Sequence, residues 1–444
     1  MRDGLTGALR DAVRVGPLRP GTRLPSSRVL ARDLGMARNT VAEAYGQLVA
    51  EGWLAARQGS GTWVAERHSP AAAVPPSARP ATNRVRYDLR AGVPDLSDFP
   101  RAAWSAAARR ALGEAPHDLL GYSHPRGLPQ LRVALADYLS RARGVVADPD
   151  RIVVCAGFAQ GLELLCEVLR ARGVATLAQE AFGHPKHRAI VYASGVGART
   201  LPVDAHGAVL DELGDADAVL LTPAHQFPIG VPLEPSRRRR VVEWAVETDS
   251  LIVEDDYDGE FRYDRQAVGA LQALAPERIV YAGTASKSLA PGLRLGWLVL
   301  PAHLIDDIVE AKETRARLSS TLDQLSLAEF IACGAYDRQV RRARLSYRRR
   351  RDRLIAALQH LAPQVHVTGI AAGLHALLQL PAGQDEADVV ARAARNGLAI
   401  EGLNAYAADG HRHRPALVVG YATPPAHAFT AALARLCTVL STHS

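Results

Sequence analysis

The sequence of 444 residues lacks the features that mark secreted, disulfide-rich and membrane-spanning proteins. Its four cysteines, Cys155, Cys166, Cys333 and Cys437, are scattered and form no C-x-x-C pair. Reduced thiols in a cytoplasmic protein are the simplest interpretation. No apolar run approaches the roughly 18 residues of a membrane span, and residues 1–16 lack the apolar core of a signal peptide. We therefore expect a cytoplasmic chain with no membrane partner.

Lysine is scarce as well. Lys186, Lys287 and Lys312 are the only lysines, and arginine carries nearly all the positive charge. A mechanism that depends on a lysine amine therefore has only three candidates.

The length predicts two or three domains, and 48% hydrophobic with 22% charged residues is typical of a globular protein with large cores. The net charge is +7, and residues 1–67 contain ten arginines against six acidic residues. This excess suggests a basic N-terminal module with a polyanionic partner. A merely basic surface is the alternative, and charge alone does not decide between them.

The pattern along the chain divides it into three parts. Residues 68–86, HSPAAAVPPSARPATNRVR, have the composition of an extended linker. After it, short runs such as RIVVCAG, DAVLLTP and SLIVEDD alternate with segments of helical period, which predicts an α/β domain with a parallel sheet buried on both faces. A small α+β tail follows, with LHALLQL and ALVVGYA as its strands. The predicted domains are therefore 1–67 and 87–444.

Residues 5–54 contain three predicted helices, with a short turn at Gly35-Met36-Ala37 between the second and the third. Two short strands follow around Gln58-Gly59-Ser60-Gly61, whose glycines permit a tight turn. Three helices and a β-hairpin make a winged helix-turn-helix.

The run PGTRLPSSRVLARDLGMARNTVAEAYGQLVAEGWLAARQGSGTWV resembles the DNA-binding domain of GntR-type bacterial regulators. The resemblance implies that the third helix enters the major groove of double-stranded operator DNA and that the hairpin turn reaches the backbone or the minor groove. A helical protein-interaction module is the alternative. The residues implied in DNA contact are Arg23, Arg28, Arg38, Asn39, Thr40 and Gly61.

A lysine in the second module lies among small hydroxyl residues. In YAGTASKSLAPGLRLGW, Lys287 follows an apolar strand and is close in sequence to Thr284, Ser286 and Arg294. An amine can form a Schiff base with an aldehyde, while hydroxyls and a guanidinium hold a phosphate. The segment therefore suits an aldehyde that carries a phosphate.

Two further segments suit the same ligand. In LIVEDDYDGEFRY, Asp255 and Tyr257 are two residues apart at the end of a strand, where a carboxylate can pair with a pyridine nitrogen and a phenol with a ring hydroxyl. An acidic surface loop or a magnesium site is the alternative. In VVCAGFAQGLELL, a strand turns through Gly157 into a helix whose first N–H groups, at Phe158 and Ala159, suit an anion.

Together these segments resemble fold-type I pyridoxal-phosphate enzymes, and the whole chain resembles the MocR/GabR subfamily of GntR regulators. The resemblance implies an α/β aminotransferase-like domain with a mostly parallel sheet and a small C-terminal α+β subdomain, with pyridoxal 5′-phosphate as cofactor. Lys287 is implied as the Schiff-base lysine, and no metal site is implied. The implied cofactor-binding residues are Asp255, Tyr257, Gly157, Phe158, Tyr122, His184, Thr284, Ser286 and Arg294.

In this group Tyr122 is implied to reach a phosphate bound in a second copy, which makes the chain a homodimer. His184 is implied to stack on the cofactor ring, with a surface histidine as the alternative. His225 and Gln226 are implied to line the site.

The sequence departs from the family pattern at three places. Glu180-Ala181-Phe182 replaces the usual acidic-Asp-Pro turn, and Ile229 replaces a small hydroxyl residue. Val418 occupies the position of the arginine that binds a substrate carboxylate, so Arg412, Arg414 or Lys186 would have to substitute.

These features predict a transcriptional regulator with pyridoxal phosphate, or an amino compound that reacts with it, as effector. Such a regulator would control vitamin B6 or amino-compound metabolism, with at most partial transamination. The alternative is an active aminotransferase with an accessory DNA-binding domain. A pure scaffold conflicts with the retention of Asp255, Tyr257, Lys287 and Arg294.

Overall fold

The computed structural model describes residues 2–57, 60–66, 85–263, 268–315 and 318–441. The chain divides into two compact units, Met1–Ala81 and Thr82–Ser444. Most of the predicted linker, residues 68–84, lies outside the described residues, as do Gln58 and Gly59 of the hairpin turn.

The small unit contains three helices and three short strands. Helix α3 packs against α1 and α2, and the core they share with the strands includes Val41, Tyr45 and Leu48. The strands form one antiparallel sheet in the order β1-β3-β2, so a strand that the sequence did not predict joins the hairpin. The elements are α1 (Arg2–Val15), β1 (Arg23–Leu24), α2 (Ser27–Asp33), α3 (Arg38–Ala50), β2 (Leu54–Arg57) and β3 (Gly61–Val64).

Local signals explain where α2 begins and ends. The Ser26 hydroxyl accepts a hydrogen bond from the backbone N–H of Val29, which caps the helix. Gly35 has φ +64°, a conformation that glycine adopts without strain, and it turns the chain toward α3. The predicted helix-turn-helix is therefore formed by the elements expected for it.

The large unit is an α/β domain followed by a smaller antiparallel part. Its elements in chain order are β4 (Tyr87–Asp88), α4 (Arg101–Glu114), α5 (Pro129–Arg143), β5 (Ile152–Cys155), α6 (Phe158–Ala171), β6 (Thr176–Glu180), α7 (Pro185–Ser194), β7 (Gly197–Leu201), β8 (Val203–Asp204), β9 (Gly207–Ala208), β10 (Ala218–Leu221), α8 (Pro235–Glu247), β11 (Leu251–Asp255), β12 (Ile279–Thr284), β13 (Gly296–Val299), α9 (Ile305–Thr314), α10 (Thr321–Ala332), α11 (Ala335–Leu361), β14 (His366–Thr368), β15 (Ala376–Gln379), α12 (Glu386–Arg395), β16 (Leu398–Ala399), β17 (Glu401–Gly402), β18 (Ala416–Val419) and α13 (Ala426–Ser441).

The central sheet has seven strands in the order β5-β13-β12-β11-β10-β6-β7. Every neighbouring pair is parallel except the two pairs that include β13. The carboxyl ends of β5, β6, β10, β11 and β12 therefore meet at one edge of the sheet, which is where ligands bind in open α/β sheets. Strands β5, β10, β11 and β12 are buried along their whole length, as their continuous apolar runs predicted.

The C-terminal part has a four-stranded sheet in the order β14-β15-β18-β17, which includes both strands predicted in the tail. The backbone N–H of Arg86 donates to the Gly397 carbonyl, so the last residue assigned to the linker is hydrogen-bonded within the large unit. The four cysteines are free. Among the described residues, no helix combines the length and the apolar character needed to cross a bilayer.

Candidate functional site

A cavity of about 330 Å³ opens at the carboxyl edge of the central sheet. Nine of the ten residues predicted to bind the cofactor line it, although they come from distant parts of the sequence. These nine are Gly157, Phe158, His184, Asp255, Tyr257, Thr284, Ser286, Lys287 and Arg294.

Lys287 follows β12 and extends into this cavity. Its Nζ donates a hydrogen bond of 2.6 Å to the carbonyl of Gly92. Burial lowers the pKa of the Lys287 ammonium, while Asp255 and Asp258 counteract this shift. A depressed pKa increases the fraction of neutral amine, which is the form that attacks an aldehyde.

Asp255 is the last residue of β11 and is buried. Burial raises the pKa of its carboxyl well above the usual range, and the nearby Lys287 charge opposes that rise. A buried carboxylate is stabilised by a positive partner, so this position suits a protonated heterocyclic nitrogen.

Tyr257 belongs to a buried polar network that the sequence did not reveal. His225 Nδ1 lies 3.1 Å from the Tyr257 hydroxyl and 2.8 Å from Asp258 Oδ2. Gly373, at φ +75°, makes room for the pair, because a Cβ there would lie 2.3 Å from the His225 ring. Asp258 was missed because its role depends on a contact with His225, 33 residues away.

The helix that follows β5 begins in the same cavity. Gly157 has φ +89° and precedes α6, so the first N–H groups of that helix lie free of intrahelical partners. The guanidinium of Arg294 lies against this turn, with Nη1 3.8 Å from the position a Gly157 Cβ would take. On the same side, the Thr284 hydroxyl donates to the Ser286 hydroxyl at 2.8 Å. Helix N–H groups, hydroxyls and a guanidinium form a site suited to a phosphate.

Two histidines line the cavity near the start of α7. His184 caps this helix, with Nδ1 accepting from the Lys186 N–H at 3.2 Å, and the His187 ring is 5.0 Å from the His184 ring. Burial lowers the pKa of His184 to about 4 and that of His187 to about 3, so both rings are neutral at pH 7. A neutral ring at His184 is available for stacking. His187 was not predicted, because only the first turn of α7 brings its ring beside His184 and into the cavity.

Tyr122 does not line the cavity, and its side chain is fully exposed. Val418 is fully buried within β18, in an apolar cluster with Phe182 and Phe227. Of the three cations considered in its place, only Lys186 lines the cavity, while Arg412 and Arg414 are exposed and do not.

Sequence reasoning gave no role in the site to Glu180, which it named only as part of a divergent turn, or to Arg188, and both line the cavity. Glu180 accepts hydrogen bonds from the Thr222 hydroxyl at 2.6 Å and from the Gln226 side-chain amide at 3.3 Å. Burial raises the pKa of Glu180 to about 7. Glu180 could have been found from its place at the end of an apolar strand, but neither residue belongs to the motifs that identified the site.

The donor set of the cavity fits pyridoxal phosphate. It offers an amine for the aldehyde, a buried carboxylate for the pyridine nitrogen, a phenol for the ring hydroxyl and the helix N-terminus with Arg294 for the phosphate. Such a ligand would stabilise two features of the cavity. Its phosphate would accept hydrogen bonds from the first N–H groups of α6, which have no intrahelical partner, and its pyridinium nitrogen would pair with Asp255, whose pKa is raised by burial.

In the small unit, the residues predicted to bind DNA lie on α2, α3 and the strand pair. Arg23, Arg28, Arg38 and Asn39 are exposed, and Thr40 is half-buried. Among the described residues, the three arginines form no ion pair. The Arg23 guanidinium lies against Gly61, with Nε 3.2 Å from the position of a Cβ there, so the two residues share the hairpin surface.

Comparison with known proteins assigns each unit to a family. Residues 2–64 match the gntR family of bacterial regulatory proteins, and residues 87–404 match aminotransferase class I and II.

Regulators with both domains are similar over nearly the whole chain. The HTH-type pyridoxine biosynthesis transcriptional regulator PdxR of Corynebacterium glutamicum is 36% identical, over 90% of this chain and 88% of that protein. The uncharacterized HTH-type transcriptional regulator YdeL of Bacillus subtilis is 35% identical, over 87% and 85%. The probable rhizopine catabolism regulatory protein MocR of Rhizobium meliloti is 32% identical, over 87% and 83%.

Among solved structures, an archaeal alanine:glyoxylate aminotransferase matches with a TM-score of 0.72 and 25% identity, over 80% of this chain and 90% of that one. The predicted fold class is therefore confirmed as a GntR-type helix-turn-helix followed by a fold-type I aminotransferase domain. Pyridoxal 5′-phosphate is the cofactor of this class, and the large unit is a pyridoxal-phosphate-binding domain.

Proposed function

Because the chain belongs to the MocR/GabR subfamily of GntR-type transcriptional regulators, we propose that its cofactor-binding cavity controls how it binds operator DNA. The effector is pyridoxal phosphate itself or an amino compound that reacts with its aldehyde. The regulated genes act in vitamin B6 or amino-compound metabolism.

One observation carries this proposal: nine of the ten residues assigned to the cofactor line one cavity, in a chain whose helix-turn-helix presents exposed arginines with no ion pair among the described residues. A ligand changes DNA affinity only if it favours one arrangement of the chain over another. The linker predicted at residues 68–86 would permit such a rearrangement.

In this proposal the cavity residues bind different groups of the cofactor. Lys287 holds the aldehyde carbon, Asp255 faces the pyridine nitrogen, and Tyr257 faces the ring hydroxyl. His184 covers the ring. The phosphate is held by Gly157, Phe158, Thr284, Ser286 and Arg294.

We infer that the protein acts in the cytoplasm as a homodimer. Tyr122 supports the dimer, because its exposed side chain does not line the cavity of its own chain and the family resemblance assigns it to a phosphate in a second copy. A two-fold symmetric dimer presents two helix-turn-helix domains to a palindromic or repeated operator.

For DNA contact, we assign α3 to the major groove, with Arg38, Asn39 and Thr40 at its start. Arg23, Arg28 and Gly61 contact the phosphate backbone or the minor groove. The exposure of the arginines and their lack of ion pairs within the described chain support these roles, because an unpaired guanidinium can bind phosphate without breaking an internal contact.

The experiment is fluorescence anisotropy of the full chain on labelled DNA from upstream of its own gene and its divergent neighbour. Apo protein and protein with pyridoxal phosphate are titrated at one salt concentration, because phosphate contacts make affinity salt-dependent. We expect the cofactor, alone or with an amino compound, to change the affinity. Affinity that ignores both would contradict the proposal.

An aminotransferase with an accessory DNA-binding domain is the second candidate, and the nine predicted cofactor residues that line the cavity favour it. The buried Val418 argues against it, since the strand offers no cation for a substrate carboxylate. Sustained turnover with an amino donor and a keto acid would reverse this ranking.

A further inference from the structure

Helix α11 (Ala335–Leu361) presents a row of exposed arginines that the cofactor cavity does not use. With 3.6 residues per turn, their positions fall within an arc of about 140° and extend over about 22 Å along the helix axis. Asp352 is the acidic residue of α11 that lies in the same arc. This strongly basic surface, called the arginine face below, consists of Arg338, Arg341, Arg342, Arg348, Arg349 and Arg353.

The opposite side of α11 fixes the helix in the large unit. Tyr336, Tyr347 and Leu354 are buried there and belong to the hydrophobic cores. Arg350 is also buried, with Nη2 2.6 Å from Asp95 Oδ2 and Nη1 2.7 Å from the Pro424 carbonyl oxygen. The arginine face therefore lies on a helix whose position is set by packing, so a ligand that binds there does not have to order the backbone.

Half of the arginine face has no partner within the described chain. Arg341, Arg348 and Arg349 form no ion pair and no side-chain hydrogen bond among the described residues. Arg342 pairs with Asp98 at 3.2 Å, but water reaches both side chains, so the pair is weak. An unpaired guanidinium can bind a phosphate without first breaking an internal contact.

A shallow cavity of about 360 Å³ lies beside this face, between α11 and the start of α13. Arg342, Arg349 and Arg353 line it together with the buried Phe429. The Arg353 guanidinium is 5.1 Å from the centre of the Phe429 ring and donates to the Thr430 hydroxyl at 2.8 Å. Three guanidinium groups around one concave site can hold a phosphate through charge-assisted hydrogen bonds.

The length and composition of the arginine face favour double-stranded DNA as its partner. Each DNA strand has one phosphate about every 3.4 Å along the axis, so the face matches about six phosphates of one strand. Protein interfaces have an apolar centre, whereas Leu345 is the one large apolar side chain exposed within this arc of the described helix. The helix-turn-helix belongs to the same chain, so DNA that it binds is present at a high local concentration for the large unit.

We propose that the arginine face of α11 is a second DNA contact, which binds the phosphate backbone of the duplex beyond the segment held by the helix-turn-helix. Because the contact is with phosphate, it adds affinity without reading the sequence. The inference rests on one part of the proposed function, the binding of operator DNA, and not on the cofactor or an effector. It gives the aminotransferase-like domain a direct role in DNA binding.

The test is fluorescence anisotropy of the full chain, loaded with pyridoxal phosphate, on two labelled duplexes from upstream of its own gene. The short duplex is the shortest one whose binding still depends on its sequence. The long duplex carries about 30 further base pairs of unrelated sequence on each side, which is about 100 Å of DNA. The affinity for each duplex is measured at several salt concentrations.

Three variants are compared with the parent chain. The glutamine variant combines Arg341→Gln, Arg348→Gln and Arg349→Gln, and the lysine variant has lysine at the same three positions. The control variant removes the same charge elsewhere in the large unit, at exposed arginines of α4, α8 and α12 that form no ion pair among the described residues. It combines Arg109→Gln, Arg239→Gln and Arg395→Gln.

We expect the parent chain to bind the long duplex at least 10-fold more tightly than the short one, since a charge-assisted hydrogen bond contributes about this much. This difference disappears in the glutamine variant and persists in the lysine and control variants. For the long duplex, the dependence of log affinity on log salt becomes shallower by about 0.9 for each phosphate contact that the glutamine variant loses. The affinity for the short duplex is the same in all four proteins.

Equal affinities of the parent chain for the two duplexes, or an unchanged difference in the glutamine variant, would overturn the proposal. The same loss in the control variant would overturn it too, because net charge and not the position of the arginines would then set the affinity. A loss on both duplexes in the glutamine variant would exclude a contact beyond the operator.

The proposed function fails separately, if the affinity for the short duplex ignores the cofactor and every amino compound. That outcome leaves the difference between the two duplexes intact. Binding to neither duplex would overturn both proposals.

Discussion

The Tyr257 hydroxyl lies 3.1 Å from Nδ1 of His225, and the same nitrogen is 2.8 Å from the Asp258 carboxylate. His225 and Asp258 are both almost fully buried. His225 and Asp258, which lie on two different loops, therefore help to set the position of the Tyr257 phenol at the cofactor cavity. Burial raises the pKa of the Tyr257 phenol well above its usual value, so it stays protonated and can donate to a ligand.

This network predicts a non-additive effect on cofactor binding. Asp258→Asn removes the charge that orients His225, and we expect pyridoxal phosphate to bind about 10-fold more weakly, as for a disrupted buried hydrogen bond. In a Tyr257→Phe background the same change has a smaller effect, because the hydroxyl that it positions is gone. Fluorescence titration of the four proteins measures both effects. Equal effects in the two backgrounds would show that Asp258 acts independently of Tyr257.

The second prediction concerns the covalent link. Lys287→Ala removes the amine that faces the cavity, so we expect no cofactor to remain attached to the chain after borohydride reduction, as measured by intact-protein mass. Lys186→Ala, which changes an exposed lysine of the same cavity, retains the added mass. A reduced adduct on Lys287→Ala would refute the assignment of the lysine.

The third prediction concerns DNA. Arg38→Ala combined with Arg28→Ala removes two exposed guanidinium groups from the helix-turn-helix, and we expect operator affinity to fall at least 10-fold. The dependence of log affinity on log salt becomes shallower by about one for each DNA phosphate that the variant no longer binds. Arg32→Ala is the control, because Arg32 lies on the same helix but pairs with Asp33 at 3.4 Å. A double variant that binds like the parent chain would exclude these residues from the DNA interface.

The fourth prediction is a pH dependence of stability. Burial raises the pKa of Glu180 from 4.5 to about 7 in the folded chain, so the folded state binds more protons than the unfolded state between these values. Stability then falls as pH rises through this window. Glu180→Gln retains an oxygen for the Thr222 bonds but cannot ionise, so it removes this contribution.

The difference in unfolding free energy between Glu180→Gln and the parent chain should therefore shift in favour of the variant by about 3 kcal/mol between pH 4.5 and 7.5. Chemical denaturation at several pH values measures it. Glu254 and Glu260 also have pKa values of about 7, and they cancel in the difference because both proteins contain them. A constant difference across this range would mean that Glu180 has the same pKa in the folded and the unfolded chain.

The motifs made much of the site predictable. The strands that end near Gly157, Asp255 and Thr284 are continuous apolar runs, and parallel strands bring their carboxyl ends to one edge. The expectation that Lys287 and Asp255 share a cavity thus follows from local sequence and from the topology of the sheet. His184 was harder to predict, because the turn Glu180-Ala181-Phe182 departs from the family pattern.

The sequence by itself determined the two families, the fold class and the cofactor, because these depend on periodic apolar runs and on short motifs whose spacing survives in the linear chain. Only the tertiary structure decided that Asp258 lies beside the His225 ring that contacts Tyr257, and that one buried guanidinium nitrogen of Arg188 has no hydrogen-bond partner among the described residues. It also showed that Val418 lies in a closed apolar cluster. These properties depend on contacts between segments far apart in sequence, such as Arg188 with Tyr406, and on burial, which changes the energy of a charge without changing the residue that carries it.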